Sequence, residues 1–213
     1  MHDAKVDNYT AYLISLVLNP QGRHYEALKT SMDLNFEDCY YDEDAIYMER
    51  NSRDFRRRIG IIDTNAEAVC DFLRSRSVAG GAQSGVIKEV FYPKFITREH
   101  FEHCRIKPKA GANKNDLIGG FGGLFSLTFT SDTVSHAFFD ALPCYKGPSL
   151  GTNFTLASPY TILAHFAELD WAAQYGVEAG LVRVSVGMED TKVLLEWFEI
   201  ALKAAETAVD VRS

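Results

Sequence analysis

The second half of the chain alternates between short runs rich in β-branched and apolar residues and segments with a helical pattern. Three runs predict strands, at residues 86–92, 124–129 and 181–186. Helical patterns cover residues 131–142, 158–175 and 190–208. Ser158 and Pro159 have the residue types of an N-cap and a first helical position, and Gly176 marks the stop of that helix. Strands separated by amphipathic helices predict a small α/β sandwich, a sheet with helices packed on one face.

The first half of the chain is predicted to be mostly helical. The apolar run at residues 13–18 has the length of a buried strand. Helices are predicted at residues 24–32 and 44–58, and a third from Thr64, since Thr64 and Glu67 have the spacing of a capping box. Residues 78–85 are small and include three glycines, which is typical of a linker. We therefore predict one domain at residues 1–85 and a second at residues 86–213.

Charge and composition argue against several classes of protein. The formal net charge of −7 gives no general attraction to nucleic acid. No apolar run approaches the roughly 20 residues that span a bilayer, and the polar first residues do not resemble a signal peptide. His100, His103 and Cys104 lack a second ligand group at zinc-site spacing, so no metal site is expected. We predict a cytoplasmic protein with reduced thiols.

Two motifs invite a catalytic interpretation that the surrounding sequence does not favour. The glycine cluster at residues 119–123 lacks the Lys-Ser/Thr ending of a P-loop and precedes a strand, which indicates a tight turn into a sheet. Ser149 stands outside any Gly-x-Ser-x-Gly elbow, and its spacing from His165 and Asp170 does not suggest a triad. We predict a packed or solvated His165 rather than a catalytic base.

Arg183 is the most informative polar residue because it lies inside a predicted strand, between β-branched residues. A buried guanidinium is costly unless it is paired. Its planar fork suits a carboxylate held by two parallel hydrogen bonds. Two interpretations stay open at this point. Arg183 either binds the carboxylate of a ligand, or it faces solvent or pairs within the chain, for instance with Glu189 or Asp190.

Several motifs resemble the Cys/Met-metabolism family of enzymes that depend on pyridoxal 5'-phosphate (PLP). The runs Tyr-Lys-Gly-Pro-Ser-Leu-Gly at residues 145–151 and Gly-Leu-Val-Arg-Val-Ser-Val-Gly-Met-Glu-Asp at residues 180–190 resemble its C-terminal domain. Residues 120–129 resemble its glycine turn into a strand, and residues 90–93 its strand ending in Tyr-Pro. Residues 17–25 and 49–55 are most similar to the fungal cystathionine γ-synthase branch. The resemblance extends from about residue 16 to residue 204.

The resemblance implies a fold and a function. The fold would be that of a truncated PLP-dependent transferase of fold type I, similar to aspartate aminotransferase: the end of the large domain, then the small C-terminal α/β domain. Arg183 would bind the α-carboxylate of an amino-acid substrate, and Ser149 would line the substrate pocket. The reaction would be γ-substitution of O-acetyl- or O-succinylhomoserine by cysteine, in transsulfuration and methionine biosynthesis. PLP would be the cofactor, and a homo-oligomer is the expected assembly.

The departures from the family pattern produce competing hypotheses. The family's Schiff-base lysine precedes the strand that matches residues 16–19, but here only Lys5 lies nearby, without the Ser-x-Thr-Lys context. We therefore assign no catalytic residue and expect the isolated chain to be inactive. One alternative is a non-catalytic truncated paralogue or an accessory subunit that binds a full-length relative. Another is a secondary-metabolism relative with a different nucleophile. Residues 152–155 also depart from the family's usual Gly-x-x-Ser/Glu, which bears on the substrate that such an enzyme prefers.

Overall fold

The computed structural model describes residues 18–107 and 119–210. The chain divides into two compact units, Met1–Phe55 and Arg56–Ser213. In the first unit, α1 (Tyr25–Asn35) and α2 (Asp42–Ser52) bury no side chain. Each carries an ion pair at i, i+4 spacing, Lys29 with Asp33 at 2.8 Å and Arg53 with Glu49 at 2.7 Å. Both pairs are exposed, so each contributes little to stability.

The second unit is built around a five-stranded mixed sheet. Its strands are β1 (Ile87–Phe91), β2 (Leu124–Phe129), β3 (Tyr145–Lys146), β4 (Leu156–Ser158) and β5 (Val182–Ser185). Their spatial order is β1-β2-β5-β4-β3. The β3–β4 pair is parallel and the other pairs are antiparallel. Because β5 is the central strand, its residues lie between strands β2 and β4.

Two helices cover one face of this sheet. They are α5 (Asp132–Ala141) and α8 (Thr191–Asp210). Phe125 of β2 packs against Phe198 of α8 at 5.9 Å between ring centroids, and Phe129 packs against Phe138 of α5 at 5.0 Å. The buried positions of α8 follow the spacing of one helical face: Leu194, Phe198, Ala201, Leu202 and Ala205. This face forms the apolar core of the unit.

A long helix, α3 (Phe55–Ser75), joins the same core. Its buried apolar residues recur at helical spacing: Ile62, Ala66, Val69, Cys70 and Leu73. The shorter helices are α4 (Arg98–Cys104), α6 (Tyr160–His165) and α7 (Leu169–Ala173). Single 3-10 turns occupy Val78–Gly80 and Phe166–Glu168.

The three predicted strands are confirmed, as is a sheet with helices packed on one face. The helices predicted at residues 131–142 and 190–208 appear as α5 and α8, with Ser131 accepting a hydrogen bond from the Val134 amide at 3.3 Å as the α5 N-cap. Gly176, predicted as a helix stop, follows the end of α7 and has a positive φ of +75°. The helix predicted at residues 24–32 appears as α1.

Two helix predictions are wrong. Thr64 does not begin a helix: it lies inside α3, and its hydroxyl donates to the Gly60 carbonyl at 2.9 Å. The segment predicted as one helix at residues 44–58 is divided between α2 and α3.

The continuous helix predicted at residues 158–175 is also wrong. Ser158 ends β4 instead, and α6, a 3-10 turn and α7 follow it. Ser158 belongs to the sheet because the backbone of Ser158 pairs with that of Arg183 in β5.

The compact units do not divide where the sequence predicted a domain boundary. The second unit begins at Arg56, and residues 56–85 belong to it because α3 packs in the same core as the sheet. The division of ancestry at residue 85, between a large-domain remnant and a C-terminal domain, stays a prediction. Residues 13–17 of the predicted first strand, and Lys5, lie outside the described residues.

Candidate functional site

The side chain of Arg183 lies on the face of the sheet opposite α5 and α8. Arg183 pairs in register with Ser126 of β2 and with Ser158 of β4, so these three side chains share one face. Ser185, two residues further along β5, shares that face as well. We call this side of the sheet the polar face, defined by Ser126, Ser158, Arg183 and Ser185. Its polarity distinguishes it from the apolar face, where Phe125, Val184 and Ala157 are in register.

Two contacts hold the half-buried guanidinium of Arg183. Its Nη2 donates to the Pro148 carbonyl at 2.6 Å. Its Cζ lies 4.7 Å from the centre of the Tyr160 ring, within cation–π distance. Within residues 18–107 and 119–210, no carboxylate forms an ion pair with this guanidinium. A single carbonyl bond occupies one of the five N–H donors of an arginine, so the guanidinium keeps donors for a ligand.

The internal pairing of Arg183 with Glu189 or Asp190 does not occur. Glu189 accepts hydrogen bonds from the Thr155 amide at 2.6 Å and from the Thr155 hydroxyl at 2.8 Å. Asp190 accepts from the Lys192 amide at 2.9 Å, at the start of α8. Both carboxylates therefore hold the backbone around the end of β5. This excludes the internal pairing, and the carboxylate-binding role of Arg183 stays a prediction.

Ser149 lies in the loop between β3 and β4, next to the contact that Pro148 makes with Arg183. A second bond ties the same loop to the polar face, because the Gly151 amide donates to the Ser185 hydroxyl at 3.1 Å. Ser149 itself is exposed. The structure thus places the Ser149 loop against Arg183, while a contact of Ser149 with substrate stays a prediction.

The run at residues 186–190, after β5, is held by residues that sequence analysis missed. The Asn65 amide of α3 donates to the Gly187 carbonyl at 3.1 Å and to the Glu189 carbonyl at 2.8 Å. The Thr155 hydroxyl accepts from the Gly187 amide at 2.9 Å. Asn65 is 2% exposed. The sequence signal that could have identified it is an amide side chain within the apolar stripe of a helix, since a buried amide needs hydrogen-bond partners. These bonds fix the end of the strand that carries Arg183.

The glycine cluster forms a turn, as predicted. The amides of Gly120 and Gly122 donate to the Asp63 carboxylate at 3.0 and 3.1 Å. These amides, which a phosphate loop would direct at its ligand, are therefore occupied within the protein. Burial raises the pKa of Asp63, and the two backbone hydrogen bonds partly offset that rise.

His165 is a packed residue rather than part of a triad. Its Nδ1 lies 2.7 Å from a carboxylate oxygen of Glu168, and its partner is therefore Glu168 rather than Asp170. Its ring contacts the rings of Tyr160 and Trp171, at 5.7 and 6.3 Å between centroids.

The described residues do not by themselves form a PLP site. No lysine is in register with β5 on its neighbours β2 and β4, and the glycine-turn amides are engaged by Asp63. Lys146 of β3 is in register with Ala157, on the apolar side, where it donates to the carbonyls of Phe139 at 2.5 Å and Leu142 at 2.8 Å. Arg183 fits the carboxylate of an amino acid, but an aldimine lysine and a phosphate cradle are not found in this part of the chain.

The chain is similar to known proteins over most of its length. No protein-family model matches the chain. The chain is 65% identical over 201 residues to the cystathionine gamma-synthase-like enzyme iboG2 of Amanita muscaria, over 91% of this chain and 31% of that protein. It is 44% identical over 191 residues to the cystathionine gamma-synthase of Neurospora crassa, over 89% of this chain and 28% of that protein.

The chain belongs to the cystathionine γ-synthase-like family. It matches a C-terminal portion and spans about a third of the length of the curated relatives it matches. Pyridoxal phosphate is the cofactor of this family. The described helices include none long and apolar enough to cross a membrane.

Solved structures support the predicted fold. The chain matches the cystathionine gamma synthase of Xanthomonas oryzae pv. oryzae in complex with cystathionine with a TM-score of 0.61 and 24% identity, over 78% of this chain and 39% of that one. The cystathionine gamma-lyase of Lactobacillus plantarum complexed with L-serine gives a TM-score of 0.60. The α/β, fold type I architecture, represented here by a fragment, is therefore confirmed.

Proposed function

We propose that this chain supplies the substrate-carboxylate-binding domain of a PLP-dependent enzyme that replaces the γ-substituent of an activated homoserine. The observation that carries the proposal is Arg183. Its guanidinium lies half-buried on the polar face, and no carboxylate of the described residues pairs with it. A cation held this way in a protein of this family fits the α-carboxylate of an amino-acid substrate.

The role of Arg183 follows from its donors. A carboxylate accepts two parallel N–H bonds from a guanidinium, which fixes both its position and its plane. One such pair would orient the substrate backbone and leave the γ-carbon at the far end of the side chain. The Ser149 loop, tied to Arg183 through Pro148 and to Ser185 through Gly151, would form one wall of that pocket.

The chemistry that depends on the cofactor is assigned to groups outside the described residues. These residues offer no PLP lysine beside Arg183, so the proposal for this chain is limited to binding and orienting the substrate. A complete site would then combine this domain with a PLP-binding part, either in one polypeptide or in a full-length relative that the chain binds as an accessory subunit.

The choice of substrate is the finer part of the proposal. O-acetyl- or O-succinylhomoserine with cysteine is the first pair to test, because the Neurospora relative is a cystathionine gamma-synthase. The same γ-substitution with a different incoming nucleophile is the second candidate to test.

A chimera would test the proposal. The segment of the Neurospora enzyme that matches this chain would be replaced by the chain, and product formation from each homoserine ester would be measured with cysteine and with other thiol, amine and carbon nucleophiles. Arg183→Lys keeps the charge but loses the planar fork that makes two parallel hydrogen bonds. Since one hydrogen bond to a charged group contributes about 1.5–3 kcal/mol, the KM of the homoserine ester should rise by about 10-fold or more. Arg98→Lys, at an arginine of α4 whose side chain is 55% exposed, is the matched control and should leave KM unchanged.

The two outcomes separate the hypotheses. An active chimera whose KM does not respond to Arg183→Lys would remove Arg183 from the substrate site. A folded chimera that turns over no ester with any nucleophile would instead support the non-catalytic paralogue.

A further inference from the structure

The ring of Tyr160 covers one face of the Arg183 guanidinium, 4.7 Å from Cζ to the ring centre. We propose that Tyr160 is a positioning residue that holds the guanidinium in the orientation that receives the substrate carboxylate. The inference rests on the proposed role of Arg183 as the carboxylate-binding group. It assigns to Tyr160 a function that acts through Arg183 and not through contact with the reacting atoms.

The backbone places Tyr160 beside Arg183 by a short and rigid route. Ser158, the register partner of Arg183, ends β4, and only Pro159 separates it from Tyr160 at the start of α6. Pro159 has φ of −75°, the angle to which its ring restricts it. The pairing of β4 with β5 therefore determines the position of the Tyr160 ring as well.

A second contact holds the Tyr160 ring. His165, five residues later, packs edge-on against it, with the ring planes at 75° and the centroids 5.7 Å apart. The His165 Nδ1 lies 2.7 Å from a carboxylate oxygen of Glu168, and the His165 ring also contacts Trp171. Tyr160 thus contacts both the guanidinium and a packed imidazole, which restricts where its ring can move.

A ring on the face of the guanidinium has a chemical advantage over an acidic partner. Cation–π contact stabilises the cation without using its N–H donors, which lie in the plane of the group. The Pro148 carbonyl takes one donor at 2.6 Å. A carboxylate side chain at the same place would instead occupy the fork that a substrate needs. Tyr160 and Pro148 together can hold Arg183 and leave part of its donor edge for the ligand.

Holding a long side chain before the ligand arrives improves binding. An arginine loses rotamer freedom when it is fixed by a ligand, and a side chain that is already fixed loses less. Removing the ring should therefore weaken carboxylate binding without removing the charge. We expect the dissociation constant of a homoserine ester to rise about threefold to tenfold, the range that a partly exposed cation–π contact allows.

The test follows the Arg183 Nε–H signal by NMR in the full 213-residue chain, assigned by its loss in Arg183→Lys. Tyr160→Leu removes the ring and Tyr160→Phe keeps it. In the wild type and in Tyr160→Phe, the signal should be displaced by the ring current and show the relaxation of an ordered side chain. In Tyr160→Leu it should move toward the position of a free arginine and relax as a mobile group. An unchanged signal and unchanged order in Tyr160→Leu would overturn the inference.

A second variant keeps the test decisive if Tyr160→Leu does not fold. His165→Ala removes the edge contact that holds the Tyr160 ring and leaves both Tyr160 and Arg183 in place. It should increase the mobility of the Arg183 Nε–H group, and an Arg183 group as ordered as in the wild type would count against the inference.

Ligand titration separates this inference from the proposed function. O-acetyl-L-homoserine is added to each variant, with its methyl ester, which lacks the carboxylate charge, as the matched compound. Weaker binding of the acid by Tyr160→Leu, with Tyr160→Phe as in the wild type, supports both proposals. A wild type that binds neither compound, with Arg183 still released by Tyr160→Leu, would overturn the carboxylate role and leave the positioning by Tyr160 supported.

Discussion

At the scale of single residues, Asp63 shows how burial can make stability depend on pH. Its side chain is 9% exposed and accepts two amides of the glycine turn. Burial raises its pKa in the folded chain above the unfolded value. A carboxyl with a raised pKa binds its proton more tightly when folded, so its contribution is full below the unfolded pKa, about 4. That contribution is lost as the pH rises through the folded pKa.

The variant Asp63→Asn should remove this dependence. We expect the free energy of unfolding of the wild type, relative to Asp63→Asn, to decrease as the pH is raised from about 4 to about 7. Urea unfolding of both proteins at several pH values would measure the difference. Gln174→Asn, at an exposed position without a titratable group, is the control and should give no such trend. A wild type that gains stability over Asp63→Asn with rising pH would show that the two amide bonds dominate over burial.

At the scale of elements, two glycines lie near the contact between α3 and the glycine turn. Replacing each of them by alanine should change the stability of the protein in opposite directions. Gly60 lies inside α3, and a Cβ there would meet nothing within 4 Å, so Gly60→Ala should stabilise the protein by about 0.5–1 kcal/mol through helix propensity. A Cβ on Gly123 would come within 2.3 Å of Ile62 Cγ2. Gly123→Ala should therefore destabilise it by about 1–3 kcal/mol.

Thermal or urea unfolding of both variants would measure these changes, and each variant is the control for the other. Equal effects of the same sign would mean that the contact between α3 and the glycine turn does not exist as described.

The elements also show what sequence can and cannot predict. Strands β1, β2 and β5 were predicted because β-branched and apolar runs bounded by Gly or Pro are a local signal. Strands β3 and β4 were missed because two and three residues carry no measurable period. The pair Thr64 and Glu67 imitated a capping box, but the hydroxyl of Thr64 bonds within the helix, and only the packing of α3 against the core reveals this.

The candidate site could also be predicted only in part: the residue with a local sequence signal was found, and the residues that depend on strand pairing or distant contacts were not. Arg183 was predicted because a charge inside an apolar strand is unusual in the sequence itself. Tyr160 was not, because its contact with Arg183 depends on the pairing of β4 with β5, which no local spacing expresses. Asn65 was missed for the same reason, since its partners lie more than 120 residues along the chain.

At the scale of the whole molecule, Arg183, the residue proposed to bind the substrate carboxylate, has no lysine in register with it on the neighbouring strands β2 and β4. Burial lowers the pKa of the Lys146 amine and so increases its neutral, nucleophilic fraction, which favours a non-specific reaction of this lysine with an aldehyde. Its position on the apolar side, bonded to the carbonyls of Phe139 and Leu142, separates it from Arg183. Reaction there would not produce a catalytic site.

Titration of the purified chain with PLP should therefore give an aldimine absorbance that does not saturate at one equivalent. Borohydride trapping and peptide mapping should place the label on more than one lysine. Lys146→Arg, which keeps a cation for the two carbonyls, should remove only the share at residue 146. A saturable aldimine at a single lysine, displaced by O-acetylhomoserine and weakened by Arg183→Lys, would contradict this. The chain would then hold the cofactor itself, and a lysine outside the described residues, such as Lys5, would complete the site that Arg183 begins.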